Sequence, residues 1–122
     1  MEFVNKNKVL FFTILLFFSS IFFNQYYGNI GVQPIDSFFP FNSAYDVLNG
    51  HFPFKDYWTI TGPFIDLIQA LFFKIFGVSW FSYVFHASIF NFIFVLFFFH
   101  TIRKFGLNLN YCFLYSLFLC FL

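Results

Sequence analysis

Hydrophobic positions along this chain form long uninterrupted runs. The first begins at Val9, after a polar start that carries two lysines. A helix needs about 20 apolar residues to cross the ~30 Å hydrocarbon core of a bilayer. Residues 9–27 meet this requirement when Tyr26 and Tyr27 are placed at the membrane interface, where aromatic residues are enriched. The pattern therefore predicts a first membrane span over residues 9–27.

A second run, residues 78–102, contains no acidic residue, lysine or arginine and predicts a second span. Arg103 and Lys104 follow it, so the positive-inside rule places that end in the cytoplasm. The lysines near the start place the N-terminus in the cytoplasm by the same rule. A third apolar run over residues 109–122 predicts the start of another span, as expected for the N-terminal part of a longer protein.

The segment between the two spans, residues 28–77, has a different composition and is predicted to lie outside the cytoplasm. Residues 24–63 hold all four prolines and four of the six glycines of the chain. The segment is also rich in aromatic residues, which favour an ordered structure over a loose linker. We therefore expect an ordered extracytoplasmic loop.

A short helix is predicted over residues 37–49 of this loop. Asp36 or Ser37 supplies the N-cap, Pro40 falls in the first turn where its missing N–H is tolerated, and Gly50 ends the helix. The apolar stripe of this helix is formed by Phe38, Phe41, Tyr45 and Leu48.

A second short helix is predicted over residues 63–76, opened by a Gly-Pro pair and ended by Gly77. It is too short to cross a bilayer and is expected to lie on the membrane with its apolar side down. Asp66, Gln69 and Lys74 form its polar side. Asp66 is expected to be solvated there.

Composition supports an all-α integral membrane protein. Of the 122 residues, 61% are hydrophobic, 9% are charged and 28 are phenylalanine. This excludes a disordered chain and argues against an ordinary soluble domain. The net charge of +1 provides no basic surface for nucleic acid.

Asp36 is the strongest candidate for chemistry, because a carboxylate just outside a membrane span can act as a general base. The alternative is a purely structural helix cap. Asp56 is expected either to order its loop or to contact a polar head group, and Tyr57 and Trp58 either to stack on sugars or lipids or to form an interfacial belt. No metal-ligand spacing, nucleophile motif or phosphate loop is present, so no cofactor is expected.

The order of these elements resembles the N-terminal region of the GT-C membrane glycosyltransferases, especially the bacterial mannosyltransferase-like and lipopolysaccharide sugar-transferase-like group. The resemblance covers about residues 9–105 and is carried by DSFFPFNSAYDVLNGHFPFKDYWTITGPFIDLIQALFFKIFG. No single motif within it is distinctive, but the ordered pattern is.

The resemblance implies an inverting transferase of the bacterial plasma membrane. Such an enzyme moves a sugar from a polyprenyl-phosphate donor to a lipid, glycan or protein acceptor. The family's first-loop acid corresponds to Asp36, and Asp56 falls at an acid common in the next segment. Many members carry Asp-Glu at the first site, whereas this chain has Asp36-Ser37, which weakens any metal-bridging role.

Two other interpretations remain open. A small membrane subunit or transporter fragment would use its loop as a docking surface, and His86 and Asn91 in the second span for contacts between helices. A secreted or lipid-anchored protein would lose the first run as a signal peptide, although residues 24–27 lack the small-residue cleavage pattern.

Overall fold

Five α-helices make up the described part of the chain. The computed structural model describes residues 2–31, 34–60 and 62–121, and these residues form no β-strand. The predicted all-α fold is confirmed. In chain order the helices are α1 (Glu2–Ile30), α2 (Pro34–Leu48), α3 (Pro63–Phe76), α4 (Trp80–Lys104) and α5 (Leu109–Leu119).

Two helices are long and apolar enough to cross a membrane. They are Lys6–Ile30 within α1 and Trp80–Lys104, each of 25 residues. At a rise of 1.5 Å per residue, each is about 37 Å long, which exceeds the ~30 Å hydrocarbon core. α5 is also apolar but has only 11 residues.

Side-chain caps fix where α4 and α5 begin. The Ser79 Oγ accepts a hydrogen bond from the Ser82 N–H at 3.1 Å, as an N-cap residue does. α4 therefore begins at Trp80, two residues after the predicted start of the second span. The Asn108 Oδ1 accepts from the Asn110 N–H at 3.0 Å and caps α5 in the same way.

The chain divides into two compact units. Unit 1 contains Met1–Tyr27 and Ala87–Leu122, and unit 2 contains Gly28–His86. Unit 2 thus holds α2, α3 and the loop between them, while unit 1 holds α5 and most of the two long helices.

Unit 1 has an interior of small and polar groups mixed with apolar ones. Leu16, Val95 and Phe99 are buried beside the free thiols of Cys112 and Cys120. The buried Ser20 Oγ donates to the Cys120 Sγ at 3.4 Å. Small side chains of this kind let helices approach closely. The exterior is apolar, with more than half of each side chain exposed at Phe11, Phe18, Phe22, Phe94, Phe97 and Phe118.

In unit 2, α2 and α3 pack as an antiparallel hairpin. Phe41 in the middle of α2 contacts Phe73 near the end of α3, with ring centroids 4.9 Å apart. Ala44 and Ala70 are buried in the same cluster, and their small side chains allow the two helices to approach.

α2 begins earlier than predicted. Its first residue is Pro34, and proline is favoured at the first helical position. Asp36 consequently lies inside the first turn, and Pro40 lies inside the helix. The predicted cap at Asp36 or Ser37 and the predicted first-turn position of Pro40 are therefore wrong.

The buried face of α2 also differs from the predicted stripe. Phe38, Tyr45 and Leu48 are exposed, whereas Pro40, Ser43 and Ala44 are buried. The smaller residues face inward because α3 lies close against them, and the large aromatic side chains are displaced outward.

α3 buries its polar side and exposes its apolar side. Asp66 and Gln69 are 0% exposed, so the predicted solvated position of Asp66 is wrong, whereas Lys74 is exposed. The exposed apolar stripe consists of Phe64, Leu67, Leu71 and Ile75.

Candidate functional site

Asp36 is an exposed carboxylate in the first turn of α2. An acid in this position is stabilised by the positive end of the helix dipole. Pro40 has no N–H to donate to the Asp36 carbonyl one turn earlier, so the proline also interrupts the hydrogen-bond ladder beside this residue. Because the Asp36 side chain is exposed, its carboxylate is accessible to a solute.

The N-terminal part of α2 lies beside the first turn of α4. The Phe38 and Trp80 ring centroids are 5.8 Å apart, and the Trp80 indole N–H donates to the Gly28 carbonyl at 2.9 Å. Asp36 therefore lies at the end of the hairpin where both long helices enter unit 2.

The loop after α2 is a tight, hydrogen-bonded turn. The Phe54 N–H donates to the Tyr57 carbonyl at 2.8 Å, and the Asp56 N–H donates to the Phe52 carbonyl at 2.9 Å. Pro53 and Tyr57 form an isolated backbone bridge. These bonds order a segment that contains no helix.

Asp56 orders this loop with its side chain. The Asp56 Oδ2 accepts a hydrogen bond from the Phe52 N–H at 2.8 Å. Of the two roles expected for Asp56, the loop-ordering one is present in the structure. A contact of its exposed carboxylate with a head group or a substrate stays a prediction.

Tyr57 anchors the loop to α3. The Tyr57 hydroxyl donates to the Asp66 Oδ2 at 3.0 Å. Burial, the hydrogen bond to the Asp66 carboxylate, and the charges of Asp66 and Asp46 together raise the pKa of the Tyr57 hydroxyl well above its usual range. Tyr57 therefore acts as a neutral hydrogen-bond donor at physiological pH.

Trp58 points away from the packed part of unit 2. Its side chain is 72% exposed, and its ring meets Phe54 edge-to-face with centroids 5.5 Å apart. Such an exposed ring is free to contact another molecule. Substrate binding by Asp56, Tyr57 and Trp58 remains a prediction.

The structure separates the predicted catalytic residue from the predicted binding residues. Tyr57 lies close enough to Asp46 for the Asp46 charge to raise its pKa. Asp36 is ten residues earlier in α2, about 15 Å away along the helix axis. Asp36 and the loop therefore occupy opposite ends of the α2–α3 hairpin.

Asp66 and Gln69 are buried, although the sequence pattern predicted them on the polar side of α3 away from the membrane. Within the described part of the chain, neither amide atom of Gln69 has a hydrogen-bond partner. A signal was present, because both residues share a helix face with Ala70 and Phe73 at i, i+3, i+4 and i+7 spacing. The other face of α3 carries larger apolar residues, and the sequence pattern therefore indicated that face as the one that packs inward or against lipid.

The polar residues of the second span are used within the chain. The Asn91 Nδ2 donates to the Leu119 carbonyl at 3.3 Å, which confirms the predicted bond to a neighbouring helix. His86 packs against the Phe72 ring with centroids 5.4 Å apart. At the far end of α4, the His100 Nδ1 lies 3.2 Å from an Arg103 guanidinium nitrogen.

No three His, Cys, Asp or Glu residues come together as a possible metal site within residues 2–31, 34–60 and 62–121. The arrangement offers the accessible Asp36 carboxylate at one end of a hairpin and an exposed aromatic loop at the other.

Comparisons of the chain with protein-family models, with curated proteins and with solved structures find no match.

Proposed function

We propose that this chain is an integral membrane protein that crosses the bilayer with α1 and α4. The observation that carries the proposal is the polarity of unit 1, whose surface is apolar and whose interior mixes polar with apolar groups. Large aromatic and aliphatic side chains form its surface, while Ser20, Ser116 and Asn91 lie buried or half-buried inside. A surface of this kind is stable in lipid, where apolar groups need no shielding.

We further propose that the chain forms the N-terminal membrane part of a glycosyltransferase that uses a polyprenyl-phosphate sugar donor outside the cytoplasm. The support is the ordered resemblance to GT-C enzymes together with the exposure of Asp36. The lipid tail of such a donor stays in the bilayer, so its phosphosugar is held at the membrane surface. Asp36 adjoins the ends of two helices that are long enough to span, and this position suits that substrate.

In the proposed reaction, the Asp36 carboxylate removes the proton from an acceptor hydroxyl. The acceptor oxygen forms a bond to the anomeric carbon of the sugar from the face opposite the phosphate. The bond between the anomeric carbon and the phosphate oxygen breaks, and its electron pair leaves with the polyprenyl phosphate. One base is enough for this inverting transfer.

Replacement of Asp36 by Asn tests this assignment. General-base catalysis typically contributes about 10²–10⁴-fold to a rate, so D36N in the full-length protein should lose sugar transfer by a factor in that range. The measurement is transfer of radiolabelled sugar from a polyprenyl-phosphate donor in membranes from cells that make the protein.

The matched control is Asp46→Asn on the same helix. Asp46 is partly exposed and lies 3.6 Å from His51, at the other end of α2. D46N should retain transfer and membrane abundance. Normal transfer by D36N at normal abundance would exclude Asp36 as the base.

A non-enzymatic membrane subunit is the other candidate. His86 and Asn91 suggested it as residues that make contacts between helices. Their contacts lie inside this chain, so they favour neither candidate over the other.

A further inference from the structure

Four large apolar side chains project from the loop between α2 and α3, which we call the aromatic finger (residues 52–60). Their exposed fractions are 63% at Phe52, 56% at Phe54, 72% at Trp58 and 77% at Ile60. Of these, the Phe54 and Trp58 rings contact each other. Exposed large apolar groups that lie together mark interaction sites with a protein or a membrane.

The backbone at Phe54 is held in a conformation that disfavours a phenylalanine. Its φ is 65°, and it is the one non-glycine residue with positive φ among the described residues. The other positive φ values in that part of the chain belong to glycines, which adopt this conformation without strain. A bulky ring in such a position costs stability and points to a function for the ring.

Hydrogen bonds within the chain also hold the conformation of the finger before it binds. The Asp56 carboxylate accepts a hydrogen bond from the Phe52 N–H, and the Tyr57 hydroxyl donates one to the buried Asp66. A preorganised loop loses little conformational entropy when it binds.

α3, which follows the finger in the chain, also has an exposed apolar face. Phe64, Leu67 and Leu71 are each about half exposed or more and recur at the spacing of one helix face. The exposed Lys74 lies beside that face on the helical wheel, and Lys55 is exposed on the finger itself. An apolar surface flanked by lysines is typical of elements that lie in the interface of an anionic membrane.

We propose that the aromatic finger inserts into the membrane interface, so that the α2–α3 hairpin lies flat on the bilayer with the exposed face of α3 beneath it. This inference rests on the membrane location proposed above. The bilayer is the chosen occupant because unit 2 is joined at both ends to helices long enough to span. That connection keeps unit 2 near lipid, and Lys55 complements anionic head groups.

Tryptophan fluorescence of the full chain in phospholipid vesicles tests the proposal. The chain has two tryptophans, so the difference between wild type and Trp58→Phe isolates the emission of Trp58. We expect that emission to be blue-shifted, quenched by lipids brominated high on the acyl chain, and shielded from iodide in the water.

The Phe54 variants separate insertion from folding. Phe54→Gly relieves the backbone strain and removes the ring, so it should not lower stability but should reduce the quenching of Trp58 by brominated lipid. Lys55→Gln should weaken the quenching in vesicles with anionic lipid and leave it unchanged in neutral vesicles. Unchanged quenching in Phe54→Gly would contradict a role for this ring in insertion.

Other possible outcomes distinguish the proposed membrane location of the chain from the proposed insertion of the finger. Release of the protein from membranes by alkaline extraction would overturn the membrane location and, with it, the insertion of the finger. A protein that resists extraction but has Trp58 open to iodide would overturn the finger proposal alone. Shielding of Trp58 from both quenchers would mean that another part of the protein or a substrate covers it, and this would overturn the proposal as well.

Discussion

At the scale of single residues, a side-chain hydrogen bond from Tyr57 to Asp66 ties the loop of unit 2 to α3. The Tyr57 hydroxyl donates to the buried Asp66 carboxylate, and a buried charge is stable only with such partners. The sequence indicated that Asp56 could order the loop. It did not indicate the Tyr57–Asp66 bond, because nothing in the local pattern reveals that two residues nine positions apart meet across a turn.

Tyr57→Phe should destabilise the protein by about 1–3 kcal/mol, since it removes a donor from a buried carboxylate. The free energy of unfolding in detergent micelles, followed by circular dichroism, measures this change. Tyr45→Phe is the matched control, because the Tyr45 side chain on α2 is about half exposed. An equal effect of the two substitutions would contradict the anchoring role of Tyr57.

The raised pKa of Tyr57 also predicts a dependence on alkaline pH. In the folded protein the hydroxyl keeps its proton above the usual tyrosine pKa of about 10, whereas the unfolded chain releases it there. The stabilisation is therefore complete below pH 10 and is lost as the pH rises towards the folded-state pKa. Wild type should lose more stability than Tyr57→Phe in unfolding titrations above pH 10. Parallel losses would show that this hydroxyl is not responsible.

At the scale of helices, periodicity located the elements better than it identified their inward faces. The second span and α4 agree within two residues at each end, and the helix predicted over residues 63–76 matches α3. The inward faces of α2 and α3 were misread because small and polar residues face each other there. In a chain whose outside is apolar, hydrophobicity alone does not mark the core.

α1 and α4 approach closely at Gly28 within unit 2. A Cβ added at Gly28 would lie 2.9 Å from both Cγ atoms of Val84, and this β-branched side chain has little freedom to move away. We therefore expect Gly28→Ala to destabilise the protein by about 1–3 kcal/mol, as overpacked sites do.

Gly31→Ala is the matched control for this prediction. Nothing lies within 4 Å of a Cβ built at Gly31, so that substitution should be close to neutral. Thermal unfolding in micelles compares the two variants. An equal shift of the melting temperature in both would contradict a close approach at Gly28.

At the scale of the whole molecule, composition was the most informative signal. The high hydrophobic fraction and the scarcity of charge indicated a membrane protein. The long apolar runs predicted two helices long enough to span, and the structure contains two such helices. The candidate site was less predictable. The separation of Asp36 from the aromatic loop depends on α2 beginning at Pro34 and on the contacts of Tyr57 with Asp66, neither of which the local sequence pattern indicates.

The central claim is that α1 and α4 cross a membrane with unit 2 outside the cytoplasm, and cysteine labelling in intact cells tests it most directly. Both native cysteines are buried, so Asn49→Cys and Lys104→Cys, at exposed positions, report on the two sides. We predict that an impermeant maleimide labels Asn49→Cys in intact cells and labels Lys104→Cys only after the membrane is opened. Labelling of Lys104→Cys but not Asn49→Cys in intact cells, or of both equally, would contradict the claim.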